Sequence, residues 1–179
     1  EDFAFLVWAN LQKTSLAGAR ICLNKEVTVA SVAGAEATVI DACGSVFGVV
    51  VFASNSTFGL PHRGFTVITS NEVGGSAVAV SAPSNVTIGG NLARRDPRGT
   101  GFLGSGFQIQ LGENHRVVGN RALNAARGFT ALTAGTPLTR GLRITDNIAM
   151  SNNIGFNLIS ENVLIVRRNL AIGNNVGFT

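Results

Sequence analysis

Gly-Phe recurs at residues 106, 128, 155 and 177 of this 179-residue chain. Eight residues before each of the last three stand Asn120, Asn147 and Asn169, each followed two positions later by Ala122, Ala149 or Ala171. A fourth copy runs from Asn91 and Ala93 to Gly106, stretched by seven residues. The steps between successive Gly-Phe pairs are 22, 27 and 22 residues. A unit this short cannot bury an apolar face by itself; it must stack on copies of itself, which makes the chain a solenoid.

Aligning the copies on Asn turns positions into columns. Three residues before it stand Ile88, Val117, Ile144 and Val166, and five before it Val86, His115, Leu142 and Leu164. Three residues after it stand Arg94, Leu123, Met150 and Ile172. Alternation of period two on both sides of the Asn predicts two short strands with inner and outer faces. The Asn should occupy the corner between them, adopting the left-handed backbone conformation and bonding its counterpart in the next coil. A third strand opens at each Gly-Phe, with Phe107, Phe129, Phe156 and Phe178 stacked inside. The expected fold is all-β, a single-stranded parallel β-helix of about seven coils over residues 20–179. Residues 1–19 form an N-terminal cap, either a short amphipathic helix or a first strand.

The run Val-Leu-Ile-Val-Arg-Arg-Asn169-Leu-Ala-Ile-Gly-Asn-Asn-Val-Gly177-Phe resembles the coil consensus of right-handed parallel β-helix proteins, the pectate-lyase-like superfamily. The resemblance covers residues 85–179. Upstream, Val27–Val29, Thr38–Ile40, Val49–Phe52, Phe65–Ile68 and Ala77–Val80 supply strands at similar intervals. It implies the fold but no single activity, because that superfamily holds polysaccharide lyases, mannuronan epimerases, glycosidases and non-catalytic surface proteins. It also implies a secreted or cell-surface protein.

Composition agrees with short strands joined by small-residue corners. Gly accounts for 22 residues, charged side chains for 13%, and Tyr is absent. No apolar run approaches the roughly 18 residues of a membrane span, so membrane insertion is not expected. The net charge of +4 comes without a Lys-rich run, so nucleic acid is not an expected partner. A flat Thr ladder for ice is broken where Asn157 separates Thr130 from Thr179. Asn55-Ser-Thr57 and Asn85-Val-Thr87 match the N-glycosylation acceptor. The chain stops one step into a new coil, at Gly177-Phe178-Thr179, which reads as a fragment of a longer protein or an end that a partner covers. Cys22 and Cys43 lie 21 residues apart, close to one coil, and read either as a disulfide across adjacent coils or as two buried thiols.

Catalysis finds little support. The resemblance implies working carboxylates on the outer positions after each Gly-Phe, yet those positions hold Gln108, Thr130, Asn157 and Thr179. Calcium is not an expected cofactor: apart from Glu1 and Asp2 no two acids are close in sequence, and a site would have to join acids from different coils, such as Asp96 and Glu113. No metal site is expected. A lyase or epimerase would need His62, His115 and Arg98 as base and charge neutraliser; His115, in an otherwise aliphatic column, reads more simply as structural. Arginines carry the stronger signal. Arg94, Arg95 and Arg98 sit in the stretched copy, while Arg116, Arg143 and Arg167 point outward from strands leading into the corner. Guanidinium forks recognise carboxylates and sulfates, so the preferred ligand is an acidic polysaccharide. The alternatives are a lyase or epimerase, and a structural module that self-associates in a fibre, spike or surface layer.

Overall fold

The computed structural model describes residues 18–42, 45–69, 75–82, 84–96, 104–110, 112–132, 140–159 and 164–179. Within them the chain is all β, a parallel β-solenoid whose strands β1–β19, numbered in chain order, deal themselves in turn to three sheets. Sheet A stacks β1 (Ala19–Leu23), β4 (Phe47–Val51), β7 (Ser76–Val80), β10 (Ser105–Ile109), β13 (Arg127–Leu132), β16 (Ile154–Ile159) and β19 (Val176–Phe178). Sheet B stacks β2 (Thr28–Val29), β5 (Thr57–Phe58), β8 (Thr87–Gly89), β11 (Arg116–Val118), β14 (Leu142–Thr145) and β17 (Leu164–Arg167). Sheet C stacks β3 (Val39–Asp41), β6 (Thr66–Thr69), β9 (Leu92–Arg95), β12 (Arg121–Leu123), β15 (Ile148–Met150) and β18 (Leu170–Ile172). Pairing is parallel throughout these sheets, each strand bonding its equivalents one coil away.

The repeat motif is explained by what meets inside. Phe107, Phe129, Phe156 and Phe178 are partners in sheet A, and their rings stack at 4.9, 4.8 and 4.7 Å with interplanar angles of 9, 8 and 6°. That spacing is the strand separation of a sheet, so the backbone sets the ring distance and the rings lie parallel but offset. The Gly before each Phe faces the Ala column of sheet C. A Cβ on Gly128 would sit 2.6 Å from the Gly155 carbonyl and 3.0 Å from the Ala149 Cβ. The Asn-x-Ala and Gly-Phe halves of the motif are thus two sides of one close corner, and only the smallest residues fit it.

The Asn column bonds as expected. Asn120 donates its backbone N–H and its Nδ2 to Asn147 Oδ1 at 2.9 and 3.1 Å, and Asn147 does the same to Asn169 at 2.9 and 3.0 Å. Asn91 continues the ladder and accepts the Phe65 N–H at 3.0 Å. The left-handed backbone, however, lies one residue earlier than the sequence suggests. Gly90, Gly119, Asp146 and Arg168 have φ of 65, 64, 59 and 53°, while the ladder asparagines are absent from the positive-φ set. The preceding residue makes the turn because the Asn must aim its amide inward, in line with its own N–H.

Five residues on, the corner between sheets C and A repeats the device. Asn152 donates its N–H and Nδ2 to Asn174 Oδ1 at 2.8 and 3.0 Å, and Ala125 N–H donates to Asn152. Asn124, Ser151 and Gly173 take the left-handed turns before it, at φ 58, 54 and 59°.

Register sets the coil lengths. Ala19 pairs with Phe47, Phe47 with Ser76 and Ser76 with Ser105, offsets of 28, 29 and 29; the later coils advance by 22, 27 and 22. This corrects the cysteine expectation. A 21-residue spacing falls short of the 28-residue coil, so Cys22 stands beside Val50 and is a free thiol whose pKa burial raises. Cys43, Arg98 and residues 1–17 of the cap expected over residues 1–19 lie outside the described residues.

Candidate functional site

The outer face of sheet A carries amides and no ionisable group at its centre: Gln108 and Asn157 are half-exposed in the outward column. Val50, Ala79 and Thr130, all outward by register, are 3, 2 and 2% exposed, and Thr130 shares a 2.8 Å hydrogen bond with Ser105. His115 is equally withdrawn. It is 1% exposed in the column of Val86 and Leu142, and its Nδ1 accepts the Val86 N–H at 3.1 Å, which leaves the ring proton on Nε2. A side chain so placed bridges coils and cannot reach a substrate. His62 is exposed, at φ 62° in the turn between β5 and β6. The lyase constellation of His62 and His115 therefore does not come together. Asp96, buried at the end of β9, and Glu113, exposed just before β11, stand at different corners, and among the described residues no three His, Cys, Asp or Glu side chains converge.

The arginines do not form one surface either. Arg94 is exposed on the outer face of sheet C, in file with Ile68 and Leu123, and Arg95 follows it half-buried. Arg116, Arg143 and Arg167 belong to sheet B. Arg116 and Arg143 are direct partners on β11 and β14, and Arg167 on β17 is partnered with Thr145, two residues along the same outer face. With Val118, Ile165 and Arg168 they line an open groove of about 270 Å³. All three are exposed, and no carboxylate among the described residues pairs with them.

Arg168 is held differently. Its Nε and Nη2 donate to Asp146 Oδ1 and Oδ2 at 2.6 and 2.8 Å, a bidentate pair across the left-handed turns of adjacent coils. The Arg168 hydrogen bond, and then its charge, hold the Asp146 carboxyl below the usual carboxylate range. The pair is therefore formed at neutral pH and is lost only as pH falls through the lowered Asp146 pKa, below that range. It fixes the end of the groove while leaving Arg116, Arg143 and Arg167 to face solvent. Parallel strands put Arg116 and Arg143 about 5 Å apart. Like charges on adjacent strands repel, and an anion between them would relieve that repulsion.

No protein-family model matches this sequence, and comparison with curated proteins and with solved structures returns no match. No helix among the described residues is long and apolar enough to cross a membrane. What sequence reading missed is a second polar file on the same face. Thr28, Thr57 and Thr87 are partners in successive coils, and Thr87 is in turn the partner of Arg116. Their spacing of 29 and 30 residues was the available signal, but it falls where the paired Asn-x-Ala and Gly-Phe markers are missing.

Proposed function

We propose that this chain is a pectate-lyase-like, right-handed β-helix module, exported or displayed at the cell surface, that binds an acidic polysaccharide through sheet B. The observation that carries the reading is the groove of Arg116, Arg143 and Arg167, three guanidiniums on one face that no carboxylate among the described residues neutralises. A rigid β face that displays Arg at strand spacing suits a polymer with regularly placed carboxylates or sulfates. Arg94, on sheet C, lies outside this site.

Hydrogen bonds to charged groups contribute about 1.5–3 kcal/mol each. The double variant Arg116→Ala/Arg143→Ala is expected to weaken binding to polygalacturonate or heparin at least about tenfold, measured by calorimetry at fixed low salt. Binding unchanged in that variant would remove the reading. A rise in ultraviolet absorbance from unsaturated uronate during incubation would replace it with a lyase.

Removing the acid that ties up Arg168 should act in the opposite direction. Asp146→Asn frees that guanidinium and takes one negative charge from the groove rim. Because the pair is exposed, the gain in heparin affinity is expected to be no more than about fivefold. A loss of affinity would mean that the Asp146–Arg168 pair shapes the groove more than its charge opposes the ligand.

A further inference from the structure

The groove is one end of a longer file. Thr28, Thr57, Thr87, Arg116 and Arg143 occupy a single outward column on five consecutive coils of sheet B. At the strand separation of a sheet that column is about 19 Å long. The hydroxyls of Thr57 and Thr87 are half-exposed and make no hydrogen bond with any described residue, although each can both donate and accept. Threonine in a strand has an ordinary reason to be present, its branched shape, but that reason does not require a hydroxyl in file with two arginines.

The column has two borders. On the side of sheet A runs a ridge of exposed asparagines in left-handed turns, Asn55, Asn85 and Asn114, each two residues before its column member; Asn85 Nδ2 donates to Asn55 Oδ1 at 3.0 Å. On the side of sheet C the exposed turn of Pro61, His62 and Arg63 rises from the backbone over Gly89 and Gly90, where a Cβ on Gly89 would lie 3.4 Å from the Leu60 Cα. Thr57 and Thr87 stand on the outer face between ridge and turn, in file with the arginines of the groove. At the far end of the file Glu26 receives a hydrogen bond from Asn55 at 3.3 Å. A carboxylate there repels an anionic chain, so Thr28 lies beyond the usable length of the file.

Accepting the acidic-polysaccharide reading on which this rests, we propose that Thr57 and Thr87 extend the arginine groove into one continuous subsite track. The polymer then lies parallel to the solenoid axis and crosses coils one by one. Its charged groups meet Arg116, Arg143 and Arg167, and its sugar hydroxyls meet the threonines. The ligand so defined is an extended acidic oligosaccharide of several units, not a single uronate or a sulfate ion.

Size-graded oligogalacturonates, with heparin fragments of matching length, test this by calorimetry on the whole chain. Affinity should rise from trimer to hexamer. Thr57→Val/Thr87→Val, which keeps the β-branched shape, should weaken the hexamer about fivefold and leave the trimer unchanged. A hexamer that binds no more tightly than the trimer, or a double variant that treats both alike, overturns the track. If Arg143→Ala still abolishes trimer binding in that case, the arginine site stands without it. Failure of every fragment to bind the unaltered protein overturns both. Duplex DNA competing as well as heparin would overturn both in favour of a general polyanion surface.

Discussion

Asn147→Ala is expected to destabilise the protein by about 4 kcal/mol. Asn147 is fully buried and connects three coils. Its Oδ1 receives the N–H and the Nδ2 of Asn120, and its Nδ2 donates to the carbonyls of Val117 and Thr145, both at 2.9 Å, and to Asn169. Alanine preserves the strand geometry and deletes the amide. The Asn120 N–H then lies buried without its partner, at about 1–3 kcal/mol, and the Asn120 amide and the Val117 and Thr145 carbonyls each lose a hydrogen bond besides. Asn153 provides the comparison: its exposed amide accepts only from Asn175 at 2.9 Å, so Asn153→Ala should change stability by less than about 0.5 kcal/mol. Urea unfolding of the two variants separates them. Equal midpoints would mean that the ladder decorates a fold that packing alone maintains.

A loss of similar size is expected for Phe129→Ala. The ring is 1% exposed and lies between Phe107 and Phe156. Truncation removes the transfer free energy of the side chain and leaves a cavity whose walls are two parallel rings and the apolar column of sheet B, for a cost of about 4 kcal/mol. The neighbours cannot close the gap, because the strands that carry them are fixed by pairing on both sides. Benzene should bind in the space and raise the unfolding temperature of the variant, but not that of the parent. Phe178→Ala should cost far less, since that ring is 51% exposed and stacks on one neighbour only. A variant of Phe129 as stable as the parent would show that the stack is permissive.

Much of this was legible in sequence because a solenoid writes its contacts at a fixed interval. The three strands per coil, the inward Phe column and the Asn ladder all follow from lining up copies 22–29 residues apart. The first half of the chain spelled out its strands but not its register, since its Gly64-Phe65 stands at a different corner, before β6, and no Asn-x-Ala accompanies it. That gap left the Cys22–Cys43 spacing open between a disulfide and two buried thiols; the disulfide assumed a 21-residue coil where the structure has 28, and Cys22 is a free thiol. The turn residue was misassigned by one because its four occupants, Gly90, Gly119, Asp146 and Arg168, share no single residue type, while the position after it is Asn in every copy. The second ladder went unseen since Ala125 stands where Asn152 and Asn174 stand in later coils.

For the site, the alternation around Asn correctly predicted which arginines point outward. It could not tell that Arg94 and Arg116 face different directions, because sequence gives the face of a strand and not the angle between sheets. The threonine file was hidden for the same reason as the early register.

The coils vary from 22 to 29 residues, yet every inward column stays in step. Length is therefore absorbed at the corners and never within the strands. The protein keeps two kinds of information apart: an axial ruler that fixes the distance between one coil's side chains and the next, and corners whose length is free to drift. Descendants of this chain can acquire or shed corner residues without altering the pitch at which Thr57, Thr87, Arg116 and Arg143 are displayed. What is inherited most faithfully in such a molecule is a spacing, and a partner with a matching repeat can follow it through large changes in sequence.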